Sequence, residues 1–397
     1  MRSVCFLAFL VHMTCSAQLF QWTQLSSFPG TARDDASAFT IANTIFVGTG
    51  RELGFGLTAD WYAFDMVGQE WTAIAPLPAS GRQYCSTFSD GTYGYVFGGV
   101  DANGPMSELW RYDPELDAWE AMSSLPASGR YATVAFDNGM VCTGLLNGGI
   151  PTNECWQYDV PGNAWTPRAS VPGEARHRAS GSGSRVEIIG GADAEGNALS
   201  DGYTYDALVD EWSPITSLPA ARIGADAVYD AGLDMTYVVG GASSSTEFHA
   251  DAWVSTGTEW AAIASFSGGP RRGGVIAFGT GDSPSLRQVY YGTGVDATQR
   301  HADWWVYTNV VESIPERTAT RVASYPYPSI GVVRIDLPFS SSATSFTVYD
   351  IAGSIHASGT LPSNGMLDLA SLATGGYIIR ITRDQHIFYC RSSIIRP

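Results

Sequence analysis

The chain contains no lysine, so its 22 basic residues are all arginines, and they are outnumbered by 39 acidic residues. The formal net charge of −17 argues against a nucleic-acid partner, because such binding relies on basic side chains that neutralise phosphates. The absence of lysine also excludes Schiff-base chemistry and a P-loop. Apolar residues at helical spacing never continue beyond about two turns, which argues against a helical fold.

The sequence also lacks the usual catalytic and metal-binding motifs. There is no Gly-x-Ser-x-Gly elbow, no HExxH, no EF-hand loop and no CxxC pair. No apolar run approaches the ~20 residues of a membrane-spanning helix. What is abundant is 44 glycines, 20 prolines and 12 tryptophans, a composition typical of many short strands and turns around a large core. The sequence therefore predicts no cofactor, no metal and no membrane span.

The first 17 residues have the three parts of a signal peptide. Arg2 provides the positive charge, residues 4–11 form an apolar stretch, and Cys15-Ser16-Ala17 is a small-residue cleavage site. A buried N-terminal strand or a lipoprotein anchor at Cys15 are the alternatives. We expect export, which permits disulfide bonds in the mature protein.

A repeat of 46 to 49 residues covers most of the chain. It is marked by tryptophans at positions 22, 71, 119, 165, 212 and 260. Each opens a phrase such as Trp71-Thr-Ala-Ile-Ala-Pro-Leu-Pro, and an arginine follows the phrase. Two apolar runs come next, the second usually ending on glycines such as Gly98-Gly99, and then an aromatic strand such as Trp110-Arg-Tyr-Asp. Each unit therefore predicts four short strands, the content of a propeller blade.

The diglycine, the aromatic pair and the tryptophan resemble kelch repeats, whose period of ~50 residues fits better than that of WD-type repeats. The resemblance implies an all-β fold, a six-bladed kelch-type β-propeller over residues 18–308 followed by a small β-sandwich. The chain begins with a fourth-strand phrase at Trp22 and ends its last unit after a third strand at Tyr307. We therefore expect the N-terminal strand to complete the sixth blade.

Removal of the leader leaves Cys85, Cys142, Cys155 and Cys390. In the repeat alignment, Cys142 lies on the second strand and Cys155 on the third strand of one unit. Cross-strand neighbours lie near the reach of a disulfide, so Cys142 and Cys155 are a possible disulfide pair. Two free buried thiols are the alternative.

After a linker at 309–322, residues 323–397 show alternating strands and Gly/Ser turns. Tyr325-Pro-Tyr-Pro-Ser-Ile-Gly331, Val348-Tyr-Asp-Ile-Ala-Gly353, Gly375-Gly-Tyr377 and the basic end at Arg396 resemble the C-terminal sorting domain of the Bacteroidetes type IX secretion system. The resemblance implies the type IX machinery as a partner and a protein that is secreted or held on the outer cell surface. An immunoglobulin-like binding module is the alternative.

A spacing that recurs in every repeat unit also marks a set of arginines and a set of carboxylates. The arginines after each phrase, predicted to bind a ligand, are Arg33, Arg82, Arg130, Arg176, Arg222 and Arg272, with Arg271 as the alternative for the last. The carboxylates, two residues before each third-strand aromatic, are Asp60, Glu108, Glu154, Asp201, Asp251 and Asp303. The two sets predict either a ring of ion pairs or an arginine-lined channel that binds an anionic sugar or carboxylate.

Two further patterns carry weaker hypotheses. His249-Ala-Asp251 and His301-Ala-Asp303 could ligate a metal, but no further ligand is fixed. Asp34-Asp35 is interpreted as a solvated turn.

Taken together, the sequence predicts a binding protein rather than an enzyme. It would recognise a glycan or a protein through loops between the second and third strands, which differ between units, as residues 51–59 and 242–250 do. The alternative is a mutarotase or epimerase acting on an anionic sugar, because six-bladed kelch propellers with a signal peptide resemble the sialic-acid mutarotases.

Overall fold

A computed structural model of the chain describes residues 21–310, except 256 and 281–285, and parts of the C-terminal region. Those parts are 320–321, 324–325, 331–335, 344–350, 354–362, 364–383 and 386–394. The predicted signal peptide and most of the predicted linker lie outside the described residues. Within these ranges the chain is all β, with two short 3₁₀ turns at Leu53–Phe55 and Asn147–Gly149. No helix in the described part is long and apolar enough to cross a membrane.

Residues 21–310 contain six four-stranded antiparallel sheets, here called blades 1 to 6. The innermost strands are Ser37–Ile41, Ser86–Ser89, Val134–Ala135, Ser180–Ser182, Asp226–Asp230 and Val275–Gly279. The second strands are Thr44–Gly48, Gly94–Phe97, Met140–Cys142, Arg185–Ile189, Met235–Val239 and Leu286–Gly292. The third strands are Trp61–Asp65, Leu109–Asp113, Cys155–Asp159, Gly202–Asp206, Ala252–Ser255 and Trp304–Val310. The outer strands are Glu70–Ile74, Ala118–Met122, Ala164–Arg168, Glu211–Ile215, Trp260–Ile263 and, for blade 6, Trp22–Gln24.

The blades form a closed ring. The innermost strand of each blade contacts that of the next, and the strand at Val275–Gly279 returns to contact Ser37–Ile41. Blade 6 combines the two ends of the repeat region, because Trp22 pairs with Tyr307 across an antiparallel ladder. The prediction that the N-terminal strand completes the last blade is confirmed. Closure joins the two ends of the repeat region within one blade and leaves only the short outer strands as sheet edges.

Burial is greatest in the second strands, lower in the innermost strands and lowest in the outer strands. The second strands are buried on both faces, as at Ile45, Phe46 and Val47, because each sheet packs between two neighbouring sheets. The outer strands alternate between half-buried and exposed residues. This difference in burial explains why the second strand of each unit reads as a continuous apolar run in the sequence.

The periodic tryptophans hold neighbouring blades together. Each indole Nε1 donates a hydrogen bond of 2.8–3.0 Å to a backbone carbonyl that follows the outer strand of the preceding blade. The pairs are Trp22 with Ala264, Trp71 with Ser26, Trp119 with Ala75, Trp165 with Ser123, Trp212 with Ala169 and Trp260 with Thr216. The tryptophans therefore have a structural role, since each satisfies its polar atom while its ring packs between blades.

The C-terminal region contains a five-stranded and a three-stranded sheet. The first has the order Thr320–Arg321, His386–Ile394, Gly375–Arg383, Ser345–Asp350 and Ile355–Thr360. The second has the order Ser324–Tyr325, Val332–Ile335 and Met366–Asp368. Their facing sides share one core, in which Val333 and Ile335 pack with Val348, Ile379 and Ile381. The predicted small sandwich therefore has its own hydrophobic core.

Candidate functional site

One face of the propeller, here called the arginine face, carries the periodic arginines and the loops between second and third strands. Six arginines are at most 5% exposed, and each is ion-paired with the carboxylate that precedes the third strand of its blade. The pairs are Arg33–Asp60, Arg82–Glu108, Arg130–Glu154, Arg176–Asp201, Arg222–Asp251 and Arg271–Asp303. We call this set the ion-pair ring.

The guanidinium groups of the ion-pair ring also hold the backbone. Arg33, Arg176 and Arg271 donate to the carbonyls of Thr49, Gly190 and Thr293, where the second strand ends, at 2.9–3.1 Å. Burial alone would raise the pKa of Asp60 and Asp201, but hydrogen bonds from Arg33 and Arg176 lower it. The geometry thus matches the ion-pair alternative of the two predicted for these arginines.

Five of the six predicted ligand-binding arginines belong to the ion-pair ring. Arg33, Arg82, Arg130, Arg176 and Arg222 are all buried against their carboxylates, and none of them lines the central cavity. The sixth is different. Arg271, rather than the predicted Arg272, pairs with Asp303 in blade 6. The side chain of Arg272 belongs to a different group of residues, which is described below.

A second ring is formed by the backbone groups of the six residues that lie two positions after the ion-pair arginines. Six N–H groups donate to six carbonyls in a closed cycle, with N–O distances of 2.8–3.1 Å. The cycle runs through Asp35, Gly273, Gly224, Arg178, Ala132 and Tyr84 and back to Asp35. All six residues have φ between 49° and 60°, the left-handed region that non-glycine residues rarely adopt. We call this the backbone ring; such strain is often found at functional sites.

Seven side chains that belong to the backbone ring or lie beside it form a group that we call the mouth cluster. They are Asp34, Asp35, Arg51, Tyr84, Arg178, Arg272 and Arg300. Arg178 Nη2 donates to Tyr84 Oη at 2.7 Å, and its guanidinium lies 4.8 Å from the centroid of the Tyr84 ring. Asp34 accepts from Arg51 Nη2 at 3.2 Å and from Arg300 Nε. Asp34 and Asp35 are 0% and 6% exposed, so the prediction of a solvated turn at these residues is wrong.

Several polar atoms at the mouth are buried without a hydrogen-bond partner among the described residues. They are Asp35 Oδ2, Arg51 Nε, Gln83 Oε1, His177 Nδ1, Arg178 Nε and Arg272 Nη1. An unpaired buried polar atom costs about 1–3 kcal/mol, so a group of them in one place requires an explanation. Arg130 Nη1 and Arg271 Nε of the ion-pair ring are buried without a partner among these residues as well, so unpaired atoms alone do not single out the mouth.

Burial and neighbouring charges shift the pKa values of two members of the mouth cluster and of the adjacent His177. Burial, and then the neighbouring Asp34, raises the pKa of Asp35 to about 7, although Arg272 and Arg178 oppose the shift. Burial and the nearby Arg178 lower the pKa of His177 to about 4, so His177 is neutral at physiological pH. Burial lowers the pKa of Arg272, but Asp35 and Tyr84 outweigh it and raise the value, which keeps this arginine charged.

One glycine of the backbone ring makes room for Asp35. A Cβ atom on Gly273 would lie 2.4 Å from Asp35 Oδ1, and the φ of Gly273 is 59°. Only glycine therefore fits this position without moving the carboxylate.

Inside the backbone ring the central channel widens into a cavity of about 760 Å³. Its walls are the innermost strands, which present small side chains such as Ala36, Ala179 and Ala225. Asp226 also lines it, and burial raises the pKa of this carboxyl well above its usual range. The backbone ring thus separates a charged mouth from a cavity lined mainly by small residues.

Neither His-x-Asp motif forms a metal site in the described residues. Asp251 and Asp303 pair with Arg222 and Arg271, and His301 Nε2 lies 2.8 Å from Asp296 Oδ2. No group of three or more metal-ligating side chains occurs in the part of the chain that the structure describes.

Cys142 and Cys155 face each other on the second and third strands of blade 3, and the structure joins them in a disulfide bond. Cys85 is a free cysteine beside the backbone ring, and burial raises the pKa of its thiol to about 11. A buried, protonated thiol is a poor nucleophile.

Comparison with known proteins identifies both parts of the chain. Residues 9–179 match the family model described as the KLHDC2/KLHL20/DRC7 Kelch-repeats domain, and residues 323–396 match the secretion system C-terminal sorting domain. The first match begins within the residues predicted as a signal peptide. No curated protein matches the chain.

Among solved structures, the chain is similar to the one titled "Structure of YjhT". The two are 17% identical with a TM-score of 0.59, and the match covers 70% of this chain and 95% of that chain. At this identity the likeness concerns the fold alone. The chain is therefore an all-β propeller whose residues 9–179 match kelch repeats, followed by a C-terminal sorting domain that indicates export by type IX secretion to the cell surface or the extracellular space.

Proposed function

We propose that the propeller binds an acidic glycan, with the carboxylate of a sugar acid held at the mouth cluster. The observation that carries the proposal is a local reversal of charge. In a chain with a net charge of −17, the mouth gathers Arg51, Arg178, Arg272 and Arg300 around the carboxylates of Asp34 and Asp35. Such a positive site attracts anions and rejects the other acidic surfaces of the same molecule.

The unpaired atoms support a carboxylate in particular. Arg178 Nε and Arg272 Nη1 are donors without partners, and guanidinium groups bind carboxylates through paired N–H donors in one plane. Below its pKa of about 7, Asp35 is mostly protonated, adds little negative charge and can itself donate a hydrogen bond. Each charge-assisted hydrogen bond contributes about 1.5–3 kcal/mol, so two of them are enough to distinguish an acid from a neutral sugar.

The proposal is tested by calorimetric titration of the full chain with sialate, D-glucuronate and D-galacturonate, with D-glucose as the neutral comparison. We expect at least one acid to bind and glucose not to bind. Arg272→Met should weaken that binding about 10- to 100-fold, which corresponds to the loss of one charge-assisted hydrogen bond. Arg111→Met, an arginine paired with Glu120 away from the mouth, is the matched control.

Binding of none of the three acids, or equal binding by Arg272→Met and the unchanged protein, would overturn the proposal. A loss of binding in Arg111→Met as well would point to a general effect of charge and contradict a local site.

One observation favours a second candidate, anomer exchange of the bound sugar acid. A carboxyl with a pKa of about 7 is suited to both proton donation and proton acceptance at neutral pH, and Asp35 is such a group beside two arginines. In this reaction the ring oxygen gains a proton, the anomeric hydroxyl loses one, and the C–O bond of the ring opens and then closes again.

Proton NMR of a freshly dissolved sugar acid measures this exchange directly. We expect a rate above buffer for the unchanged protein and the buffer rate for Asp35→Asn. A buffer rate for the unchanged protein removes this candidate and leaves the binding proposal intact.

A further inference from the structure

The loop of blade 1 between Gly50 and Thr58 presents apolar side chains on the arginine face. Leu53 is 83% exposed and Phe55 is 74% exposed, on a short 3₁₀ turn. Among the described loops of this face, Ile150 on blade 3 is the other large apolar side chain that is exposed. An aromatic ring left in solvent beside a charged mouth is a common feature of ligand-binding surfaces.

The loop holds Phe55 in a defined position. Residues 33–34 pair with residues 51–52 as two short strands, and Glu52 N donates to Gly56 O at 2.8 Å. Thr58 N donates to Gly50 O at the base of the loop. Phe55 itself has a φ of 68°, which is strained for a residue with a bulky side chain. The loop therefore maintains an unfavourable backbone conformation that keeps an apolar ring exposed.

Phe55 is joined to the mouth cluster through two arginines. The guanidinium of Arg51 lies 5.2 Å from the centroid of the Phe55 ring, and that of Arg300 lies 5.8 Å from it. Both arginines bind Asp34, the neighbour of Asp35. The ring, the two guanidinium groups and the mouth therefore form one continuous surface.

We infer that Phe55 forms a second sugar subsite, so that the ligand is the acidic end of an oligosaccharide rather than a free monosaccharide. This inference rests on the proposed function. The acid would bind at the mouth, and the next sugar would pack the C–H groups of one ring face on Phe55. Arg51 and Arg300 flank the same ring with donors for the hydroxyls of that second sugar.

The test compares a monosaccharide with a longer sugar that carries the same acid. The first pair of probes is D-galacturonate and its linear trimer, and the second pair is sialate and sialyllactose. Each is titrated calorimetrically into the full chain and into Phe55→Ala. We expect the longer sugar to bind the unchanged protein more tightly, and Phe55→Ala to weaken its binding about 3- to 10-fold while monosaccharide binding stays the same.

Two variants control for other effects. Phe55→Trp should retain the preference for the longer sugar, because an aromatic face remains. Leu116→Ala removes an apolar side chain that is 74% exposed in the turn between the third and outer strands of blade 2, and it should change neither affinity.

Equal affinities of the unchanged protein for the short and the long sugar would overturn the inference. So would an equal loss for both sugars in Phe55→Ala, which would mean that Phe55 only supports Arg51 and Arg300. Both outcomes leave the binding proposal standing, whereas failure of every acidic sugar to bind overturns the proposed function itself.

Discussion

Arg271 and Arg272 are neighbours in the chain, but they belong to two regions with different roles. Arg271 is 0% exposed and bound to Asp303, as part of an ion-pair ring that repeats in every blade. Arg272 lies in the mouth cluster, where its Nη1 is buried without a partner. Arg271 Nε is also buried without a partner among the described residues, so the two arginines differ in the repeating ion pair, which Arg271 forms and Arg272 does not. The comparison teaches that the position that repeats around the ring is structural, and that its irregular neighbour is the better candidate for function.

The backbone ring also combines a structural feature that repeats in every blade with side chains that differ between blades. Its six hydrogen bonds repeat in every blade, whereas its side chains differ, from Asp35 and Arg178 to Gly224 and Gly273. Because backbone groups form these hydrogen bonds, the ring accommodates different side chains in different blades. Its positions are still constrained by their positive φ, and Gly273 has no room for a side chain beside Asp35.

The largest expected effect is at the ion-pair ring. Arg271→Met leaves Asp303 unpaired in a setting where its side chain is only 19% exposed. We expect the free energy of unfolding, measured with urea, to fall by about 3 kcal/mol. The double variant Arg271→Met with Asp303→Leu should recover part of the loss, because no unpaired charge remains. An unchanged urea midpoint for Arg271→Met would contradict the structural role assigned to Arg271.

A pH dependence is expected next. The folded-state pKa of Asp35 is raised to about 7 from an ordinary value of 3.8, so the proton stabilises the fold. This stabilisation is complete below about pH 4 and is lost as the pH rises through 7. We also expect the affinity for a sugar acid to fall about tenfold between pH 5.5 and 8.5, because Asp35 becomes negative.

Asp35→Asn is the variant that isolates this effect, since its side chain cannot ionise. Its melting temperature should fall less between pH 5.5 and 8.5 than that of the unchanged protein, and its affinity should be nearly constant. Identical pH profiles for the two proteins would contradict a role for Asp35 in either property.

A smaller effect on stability is expected at the mouth. Arg272→Met removes a charge that faces Asp35 and Tyr84 but no ion pair of the ring, and Asp35 can stay protonated, so the free energy of unfolding should fall by about 1 kcal/mol, less than for Arg271→Met. The measurement is the same urea titration used for Arg271→Met. A loss as large as that of Arg271→Met would show that the two arginines share one structural role.

The smallest effect is expected at an exposed ion pair. Arg111 lies on a third strand and pairs with Glu120, whose side chain is 61% exposed. Arg111→Met should change the free energy of unfolding by less than about 1 kcal/mol, because solvent screens such pairs. This variant is the reference for an exposed ion pair. A loss near 3 kcal/mol would mean that the buried pairs of the ion-pair ring stabilise the fold no more than an exposed pair does.

The sequence predicted the fold from features that recur. Trp71 and its equivalents mark outer strands, Trp22 closes blade 6, and Asp60 and its equivalents meet the periodic arginines. Cys142 and Cys155 could be paired from the repeat alignment because they occupy directly opposed strand positions. These features are local or periodic, so the alignment of units is enough to relate them.

The mouth was missed because it depends on closure of the ring. Asp35, Tyr84, Arg178 and Arg272 come from four different blades, and the residue types at these positions differ from one repeat unit to the next. The one available signal was position, since Asp35, Tyr84 and Arg178 each follow a ring arginine by two residues. The same limitation explains why Asp34-Asp35 was interpreted as a solvated turn.

By itself, the sequence determined the repeat, the partners of the periodic arginines and the identity of the sorting tail. Each of these depends on residues within one or two repeat units or within the tail itself. Only the tertiary structure decided which arginine of blade 6 is structural, that the mouth is positive in an acidic protein, and that Asp35 and Phe55 lie on one connected surface. The physical reason is that these properties arise from burial and from distances across blades. Neither exists until the last strand has paired with the first.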